Sequence, residues 1–276
     1  MPIPESSQPE AFKAFEHERW QSAARIYHGA FVRLTSQAAD PLLDAADVRA
    51  GKHLLDMASG PGHIAARAAE RGATLVGSDF SAEMVKLARE LYPDLQFRVA
   101  DAEALPFVDA SFDAVTMGFL LGHLPRPAAA IREAFRVLRP AGRLALSWWL
   151  PPDRCPAFAI MKDSIAAHGR TDVAIPPAPP FELFTQARVL HEALAEAGFG
   201  GIEVREVAMT WRLASADEMF EAYRDGTART AGLLRLQTPE ALQAIRAEVV
   251  KRCEPWRREG GLELPMPAWV ASGTKM

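Results

Sequence analysis

An acid and two glycines stand together in one short stretch of the sequence, Asp56-Met57-Ala58-Ser59-Gly60-Pro61-Gly62. Gly60 and Gly62 carry no Cβ, so the backbone can turn sharply there and approach a ligand closely. A helix that begins directly after such a turn presents free N–H groups to an anionic or polar ligand. The residue types and their spacing therefore predict a binding site for a nucleotide-like cofactor.

The glycine turn also fits a dinucleotide-binding pattern. The run Gly60-Pro61-Gly62-His63-Ile64-Ala65 satisfies G-x-G-x-x-A, and Asp79 follows at about the 20-residue distance of an acid that binds ribose. Asp56 argues against a dinucleotide, because a carboxylate at the end of the strand would repel a pyrophosphate and would suit a cationic amine instead. An NAD(P)-dependent oxidoreductase remains the alternative at this point.

Strands and helices alternate along the first half of the chain and would position this turn. Apolar runs bounded by Gly, Pro or polar residues predict strands at residues 53–57, 74–78, 96–100, 114–117 and 143–149, with helices at 64–71, 82–91 and 128–138 between them. Two later runs, 202–209 and 267–272, predict a sixth and a seventh strand. This order predicts an α/β fold with a mostly parallel sheet and helices on both faces.

Two helical regions lie outside this alternation. Trp20, Ala24, Tyr27, Phe31 and Leu34 fall on one face of a helix predicted from Pro9 to Ala38, and Asp40-Pro41 is expected to end it. That face either covers the core or forms a lid over the glycine turn with Trp20 and Tyr27 pointing inward. Residues 210–260 are predicted to be a helical insertion before the last strand.

The predicted organisation is one domain in three parts. Residues 1–50 form an N-terminal helical lid, 51–150 the cofactor-binding core, and 151–276 a C-terminal part with acceptor-site loops and the helical insertion.

Composition narrows the class of protein. The chain has 276 residues, 31 Lys+Arg against 35 Asp+Glu, and 2 cysteines without a metal-binding spacing. A net charge of -4 does not favour nucleic acid as a partner. The sequence has no signal-peptide pattern and no apolar run long enough to span a bilayer. We therefore expect a cytoplasmic protein, monomeric or homodimeric, with no bound metal.

Four short blocks follow one another between residues 50 and 150. They are Leu54 to Gly62, Val76 to Ser81 with Met84, Ala100 to Phe107 with Ser111-Phe112-Asp113, and Val137 to Leu144. In this order they resemble the motifs of class I S-adenosylmethionine-dependent methyltransferases, nearest to the branch that includes quinone-biosynthesis C-methyltransferases and many natural-product methyltransferases. The resemblance implies a Rossmann-like class I fold, and Ala58 stands where the first motif usually has a glycine.

The resemblance also implies roles in binding S-adenosyl-L-methionine. Asp56 would orient the methionine end, Asp79 would accept hydrogen bonds from both ribose hydroxyls, and Asp101 would accept one from the adenine amine. The other residues would approach or flank the cofactor: Ala58, Gly60 and Gly62 by close backbone approach, Phe80 and Met84 beside the adenine, Ala102 through its N–H, and Met117 and Gly118 beside the sulfonium.

His123 is the candidate general base, since it follows the fourth predicted strand, near the place where the methyl group would emerge. A neutral imidazole can take a proton from a phenol or an acidic carbon. The alternative is a histidine that only packs in its loop.

These residues predict methyl transfer to an O or C atom of a small apolar or aromatic metabolite of secondary metabolism. Two alternatives stay open: the NAD(P)-dependent oxidoreductase, and an S-adenosylmethionine-binding protein with a non-methyl-transfer, cyclase-like activity.

Overall fold

The computed structural model describes residues 3–276 as alternating strands and helices followed by a helix-rich C-terminal region. The helices are α1 (Pro9–Ala30), α2 (Val32–Thr35), α3 (Ala39–Ala45), α4 (His63–Glu70), α5 (Ala82–Leu91), α6 (Pro127–Val137), α7 (Pro156–His168), α8 (Ala187–Glu196), α9 (Ala216–Gly226), α10 (Arg229–Arg235) and α11 (Pro239–Arg252). The strands are β1 (His53–Met57), β2 (Thr74–Asp79), β3 (Gln96–Val99), β4 (Phe112–Gly118), β5 (Leu138–Trp149), β6 (Phe199–Val207), β7 (Thr210–Leu213), β8 (Arg257–Arg258), β9 (Gly261–Pro265) and β10 (Ala268–Lys275).

Seven strands form one sheet in the order β3-β2-β1-β4-β5-β10-β6. The first five pair in parallel, whereas β10 runs antiparallel to both β5 and β6. The predicted α/β class I fold, with its mostly parallel seven-stranded sheet, is confirmed. The order reverses between β1 and β4, and ligands of open α/β sheets bind beyond the carboxyl ends of the strands at such a point.

Both faces of the sheet are covered, because successive strand residues point to opposite sides. In β1, Leu54 belongs to the core under α3, α4 and α5, whereas Leu55 belongs to the larger core that includes α6 and α8. Both leucines are fully buried. Near-continuous burial along β1 is typical of a central parallel strand.

The N-terminal helix is shorter than the helix predicted from Pro9 to Ala38. α1 ends at Ala30, and the chain continues through the short α2 and a 3-10 turn over Ser36–Ala38. Asp40 and Pro41 do not end a helix; they lie in the first turn of α3, where the missing N–H of proline removes no intrahelical hydrogen bond. α1 packs against α5 and α9, so it joins the cofactor-side helices to the C-terminal region.

The helical insertion predicted at residues 210–260 also contains short strands that the sequence did not predict. α9, α10 and α11 lie there, but β7 and β8 flank them and join β9 in a separate three-stranded sheet, in the order β7-β9-β8. Trp211 and Leu213 are buried in β7, and Leu262 and Leu264 are buried in β9. This alternation is the period of a half-buried strand, too short in four residues to stand out between helices.

Candidate functional site

A cavity of about 460 Å³ opens beyond the carboxyl ends of β1, β2 and β4. Its wall comes from the loops after these strands, from α1 and α2, and from α7, α9 and α10. Most of the site residues predicted from the sequence lie on this wall: Trp20, Tyr27, Ala58, Gly60, Asp79, Phe80, Met84, Asp101, Ala102, Gly118 and His123. The volume lies in the range of sites for small molecules and cofactors.

Asp79 connects the end of β2 to the glycine turn. Its Oδ2 accepts a hydrogen bond from the Gly60 N–H at 2.9 Å, and its Oδ1 accepts one from the Ser81 N–H at 2.9 Å. Each oxygen keeps a second lone pair for a ligand hydroxyl. Burial raises the pKa of the Asp79 carboxyl to about 6, although the two N–H donors favour the charged form.

The glycine turn leaves room where a cofactor would approach. Ala58 and Gly60 have positive φ angles of 52°, a strained conformation for alanine. A Cβ placed on Gly60 would meet no protein atom within 4 Å, so it would project into open space at the cavity. Together with the Asp79 carboxylate, this open backbone fits the ribose and the methionine part of S-adenosylmethionine.

Three of the predicted binding residues do not lie on the cavity wall. The Asp56 side chain is fully buried and its Oδ1 accepts a hydrogen bond from Thr116 Oγ1 at 2.7 Å. Met117 is fully buried in the core of the sheet, and only its neighbour Gly118 lines the cavity. Gly62 caps α4 at φ 87°, and a Cβ there would lie 2.7 Å from the Phe97 ring. Gly62 and Met117 thus shape the turn and the strand beneath the cavity.

The predicted adenine side is closed by α1. Phe80, Met84 and Ala102 line the cavity there. Lys13 of α1 forms an ion pair with Asp101 and a second one with Glu103, at 3.0 Å. Asp101 Oδ1 also accepts a hydrogen bond from the Glu103 N–H at 2.9 Å, so its carboxylate is held at the cavity wall.

Trp20 and Tyr27 of α1 both point toward the cavity, as the lid interpretation of this helix predicts. Their rings meet edge to face with centroids 5.4 Å apart, and Tyr27 stacks on Phe31 at 5.6 Å. Burial raises the pKa of the Tyr27 hydroxyl to about 12. This phenol therefore stays protonated and can donate a hydrogen bond.

His123 lies on the cavity wall in contact with a carboxylate that comes from α1. Its Nδ1 is 3.0 Å from Oε2 of Glu16, and the same oxygen accepts a hydrogen bond from the Trp20 indole at 2.9 Å. Glu16 is fully buried. A proton on Nδ1 shared with Glu16 would leave Nε2 as the basic nitrogen. The imidazole also meets the Trp148 ring edge to face, with centroids 5.9 Å apart.

The opposite part of the cavity is mostly apolar. Its lining includes Phe119, Leu120, Trp149, Phe158, Ile165 and Phe181. Trp149 stacks on Phe119 with centroids 4.2 Å apart. Such a wall suits an aromatic or apolar acceptor.

Sequence patterns did not identify four of the polar residues at this site. Glu16 and Lys13 reach it from α1, Thr35 reaches it from α2, and Arg229 reaches it from α10. His123, which contacts Glu16, and the acids paired with Lys13 lie far along the chain, so no local motif joins them. The helical spacing of Glu16 and Trp20, four residues apart, was the one available signal.

Comparison with known proteins agrees with this class of fold. Residues 55–146 match the family model described as a methyltransferase domain. This match overlaps the four motifs between residues 50 and 150, so that part of the chain is similar to a methyltransferase domain.

Curated proteins of similar sequence match part of the chain. A demethylmenaquinone methyltransferase from Beutenbergia cavernae is 42% identical over 118 residues, which cover 43% of this chain and 49% of that protein. The chain spans about half the length of the curated relatives it matches.

Two solved structures share the fold over most of the chain. A candidate methyltransferase from Bacillus halodurans is 23% identical, with a TM-score of 0.57, covering 86% of this chain and 98% of that chain. The [4+2]-cyclase SpnF is 18% identical, with a TM-score of 0.55, covering 99% of this chain and 98% of that chain. Within residues 3–276, no helix is both long and apolar enough to cross a membrane.

Proposed function

We propose that this protein transfers the methyl group of S-adenosylmethionine to an O or C atom of a small apolar or aromatic metabolite. The observation that carries the proposal is one continuous cavity. It joins the glycine turn and Asp79 on one side to the apolar wall around Phe158 on the other. A methyl donor and an acceptor can therefore meet away from bulk water.

The bound cofactor would supply an activated methyl group on its sulfonium sulfur. Asp79 and Gly60 orient its ribose, and the side chains of α1 cover it from solvent. His123 would take the proton of the acceptor atom on Nε2, which would let that atom receive the methyl group from S-adenosylmethionine. Glu16 acts as a positioning residue, because its carboxylate holds the imidazole through Nδ1.

We assign the acceptor to secondary metabolism rather than to quinone biosynthesis. More than half of this chain lies outside its alignment with the demethylmenaquinone methyltransferase. Four residues of the apolar wall lie beyond the matched methyltransferase domain: Trp149, Phe158, Ile165 and Phe181.

Calorimetric titration with S-adenosylhomocysteine and with NADH tests the cofactor. We expect S-adenosylhomocysteine to bind and NADH not to bind. Binding of NADH alone would refute the proposal in favour of an oxidoreductase. Methyl-labelled cofactor incubated with a panel of phenols and acidic carbon compounds then tests transfer.

His123→Ala tests the base. We expect the cofactor affinity to stay unchanged. The turnover should fall by at least about 10²-fold, because general base catalysis contributes on that order. His191→Ala, on the exposed surface of α8, is the matched control. Glu16→Gln should lower kcat at unchanged KM. Equal turnover in His123→Ala would return His123 to a packing role.

A further inference from the structure

One positively charged side chain on the cavity wall, that of Arg229, forms no ion pair among the described residues. Three lysine or arginine side chains line the cavity among residues 3–276: Lys13, Lys162 and Arg229. Lys13 pairs with Asp101 and Glu103, and Lys162 pairs with Glu182 at 2.7 Å. Arg229, the first residue of α10, has no carboxylate within 4.0 Å among the described residues, so its charge is available to a ligand.

The surroundings of Arg229 hold the guanidinium but do not neutralise it. Its Nη1 donates to the Pro176 carbonyl at 3.0 Å, and its Cζ lies 5.6 Å from the centroid of the Phe12 ring. Glu16 is the acid that acts on it at longer range. Oε2 of Glu16 is already shared by Trp20 and His123. Burial lowers the pKa of Arg229, which is the sign of a partly desolvated cation.

A hydroxyl close by in the chain is also without a partner. Tyr223 lines the cavity six residues before Arg229, and its buried hydroxyl has no hydrogen-bond partner among the described residues. Thr230, next to Arg229, lines the cavity as well. A partly buried cation and a buried hydroxyl both cost free energy unless a bound group satisfies them.

We propose that Arg229 binds a carboxylate of the methyl acceptor, which makes the acceptor an aromatic or apolar monocarboxylate. This inference rests on the proposed function. The guanidinium presents paired N–H donors that match the two oxygens of a carboxylate. One unpaired cation balances one negative charge, which favours a carboxylate over a doubly charged phosphate. The apolar wall then receives the rest of the molecule.

Binding of two ring-matched probes tests the proposal. The full chain is saturated with S-adenosylhomocysteine and titrated with 2-naphthoic acid and with 2-naphthamide, which differ in charge but share the ring. We expect the wild type to bind the acid at least tenfold more tightly than the amide. Equal affinities, or binding of neither probe, would overturn the assignment of Arg229.

Variants of α10 test whether Arg229 is the residue that causes the preference for the acid. Arg229→Gln should abolish the preference for the acid, whereas Arg229→Lys should keep part of it because the positive charge remains. Arg235→Gln, at the exposed end of the same helix, is the matched control and should keep the full preference. Each variant should bind S-adenosylhomocysteine as the wild type does. A full preference retained in Arg229→Gln would contradict the inference.

The cofactor titration separates this inference from the proposed function. A wild type that binds no S-adenosylhomocysteine refutes the proposed function. A wild type that binds S-adenosylhomocysteine but does not distinguish acid from amide refutes only the carboxylate site.

Discussion

Asp79 is the residue that connects the glycine turn to the proposed ribose site. We expect Asp79→Ala to weaken binding of S-adenosylhomocysteine more than tenfold. The variant loses charge-assisted hydrogen bonds worth about 1.5–3 kcal/mol, and it also frees the Gly60 N–H that positions the turn. Calorimetric titration of wild type and variant measures the difference.

The exposed acid Asp94 provides the control for Asp79. Asp94→Ala removes an exposed carboxylate that is not part of the cavity wall and should leave the affinity unchanged. Thermal unfolding of both variants checks that they fold. An affinity of Asp79→Ala equal to that of the wild type would show that the ribose is bound elsewhere.

Asp56 is a buried acid, and the free-energy cost of ionising its carboxyl should appear in the pH dependence of stability. Burial raises the pKa of its carboxyl to about 7, and the Thr116 hydrogen bond only partly opposes this. Between about pH 4 and pH 7 the folded chain keeps a proton that the unfolded chain has lost. The free energy of unfolding therefore falls as the pH rises through this window.

We expect Asp56→Asn to remove much of that fall. The rise in the Asp56 pKa corresponds to at most about 4 kcal/mol in the free energy of unfolding. The variant should therefore be the more stable protein at pH 8. Urea unfolding at pH 5 and pH 8 measures it. Part of the decrease in the free energy of unfolding should remain in the variant, because burial also raises the pKa of Asp79 to about 6. If the free energy of unfolding of Asp56→Asn fell between pH 5 and pH 8 as much as that of the wild type, Asp56 would not be the cause of the pH dependence.

The residues that could be predicted from the sequence are those joined by short-range geometry. Asp79 and Gly60 belong to neighbouring strand ends, and strand ends of a parallel sheet meet at one edge. Glu16 and Arg229 could not be placed, because their positions depend on how α1 and α10 pack. Asp56 shows the converse limit: its place at a strand end was predicted correctly, but its complete burial beneath the cavity lining was not.

At the scale of elements, α1 is held over the cofactor side by polar contacts. Lys13 reaches Asp101 and Glu103 beyond β3, and Gln21 Oε1 accepts hydrogen bonds from Ser81 Oγ at 2.8 Å and from the Glu83 N–H at 2.9 Å. These contacts tie α1 to the loop after β3 and to the N-terminus of α5. Opening of the cavity therefore requires α1 to break them.

We expect Lys13→Met to speed dissociation of S-adenosylhomocysteine about fivefold. Partly exposed ion pairs contribute about 1 kcal/mol, which corresponds to that factor. Stopped-flow displacement measures the rate, and hydrogen exchange should quicken in α1. Lys86→Met, which breaks only a pair with Glu83 at 3.8 Å on α5, is the control. Slower dissociation from Lys13→Met would instead mean that freed Asp101 binds the adenine amine.

Strands of the insertion illustrate why elements in the C-terminal part were harder to predict. β7 has four residues and β8 has two, and each is paired with β9 rather than with the main sheet. So short a strand is stable only through its partners. Long strongly patterned elements such as α5, by contrast, have the bounds predicted from Ser81 and Leu91.

At the scale of the whole molecule, one core joins the three predicted parts of the chain. Phe31, Leu55, Trp148, Trp211 and Leu264 all belong to it. Trp211 stacks on Phe31 with centroids 4.9 Å apart, and its indole donates to the Ala30 carbonyl at 3.2 Å. The insertion is therefore packed onto the N-terminal helix instead of standing apart, and the cavity lies where these parts meet.

A shared core predicts that the chain unfolds in one cooperative transition, although chains of this size often populate intermediates. Far-ultraviolet circular dichroism and tryptophan fluorescence should give coincident urea curves. Trp211→Phe should lower the free energy of unfolding by about 1–3 kcal/mol and shift both curves together, because it loosens the contact between insertion and α1. Trp256→Phe, at a partly exposed turn, should shift them less. Two separated transitions in Trp211→Phe would show that the insertion unfolds as an independent unit, and that its wall of the cavity can form without α1.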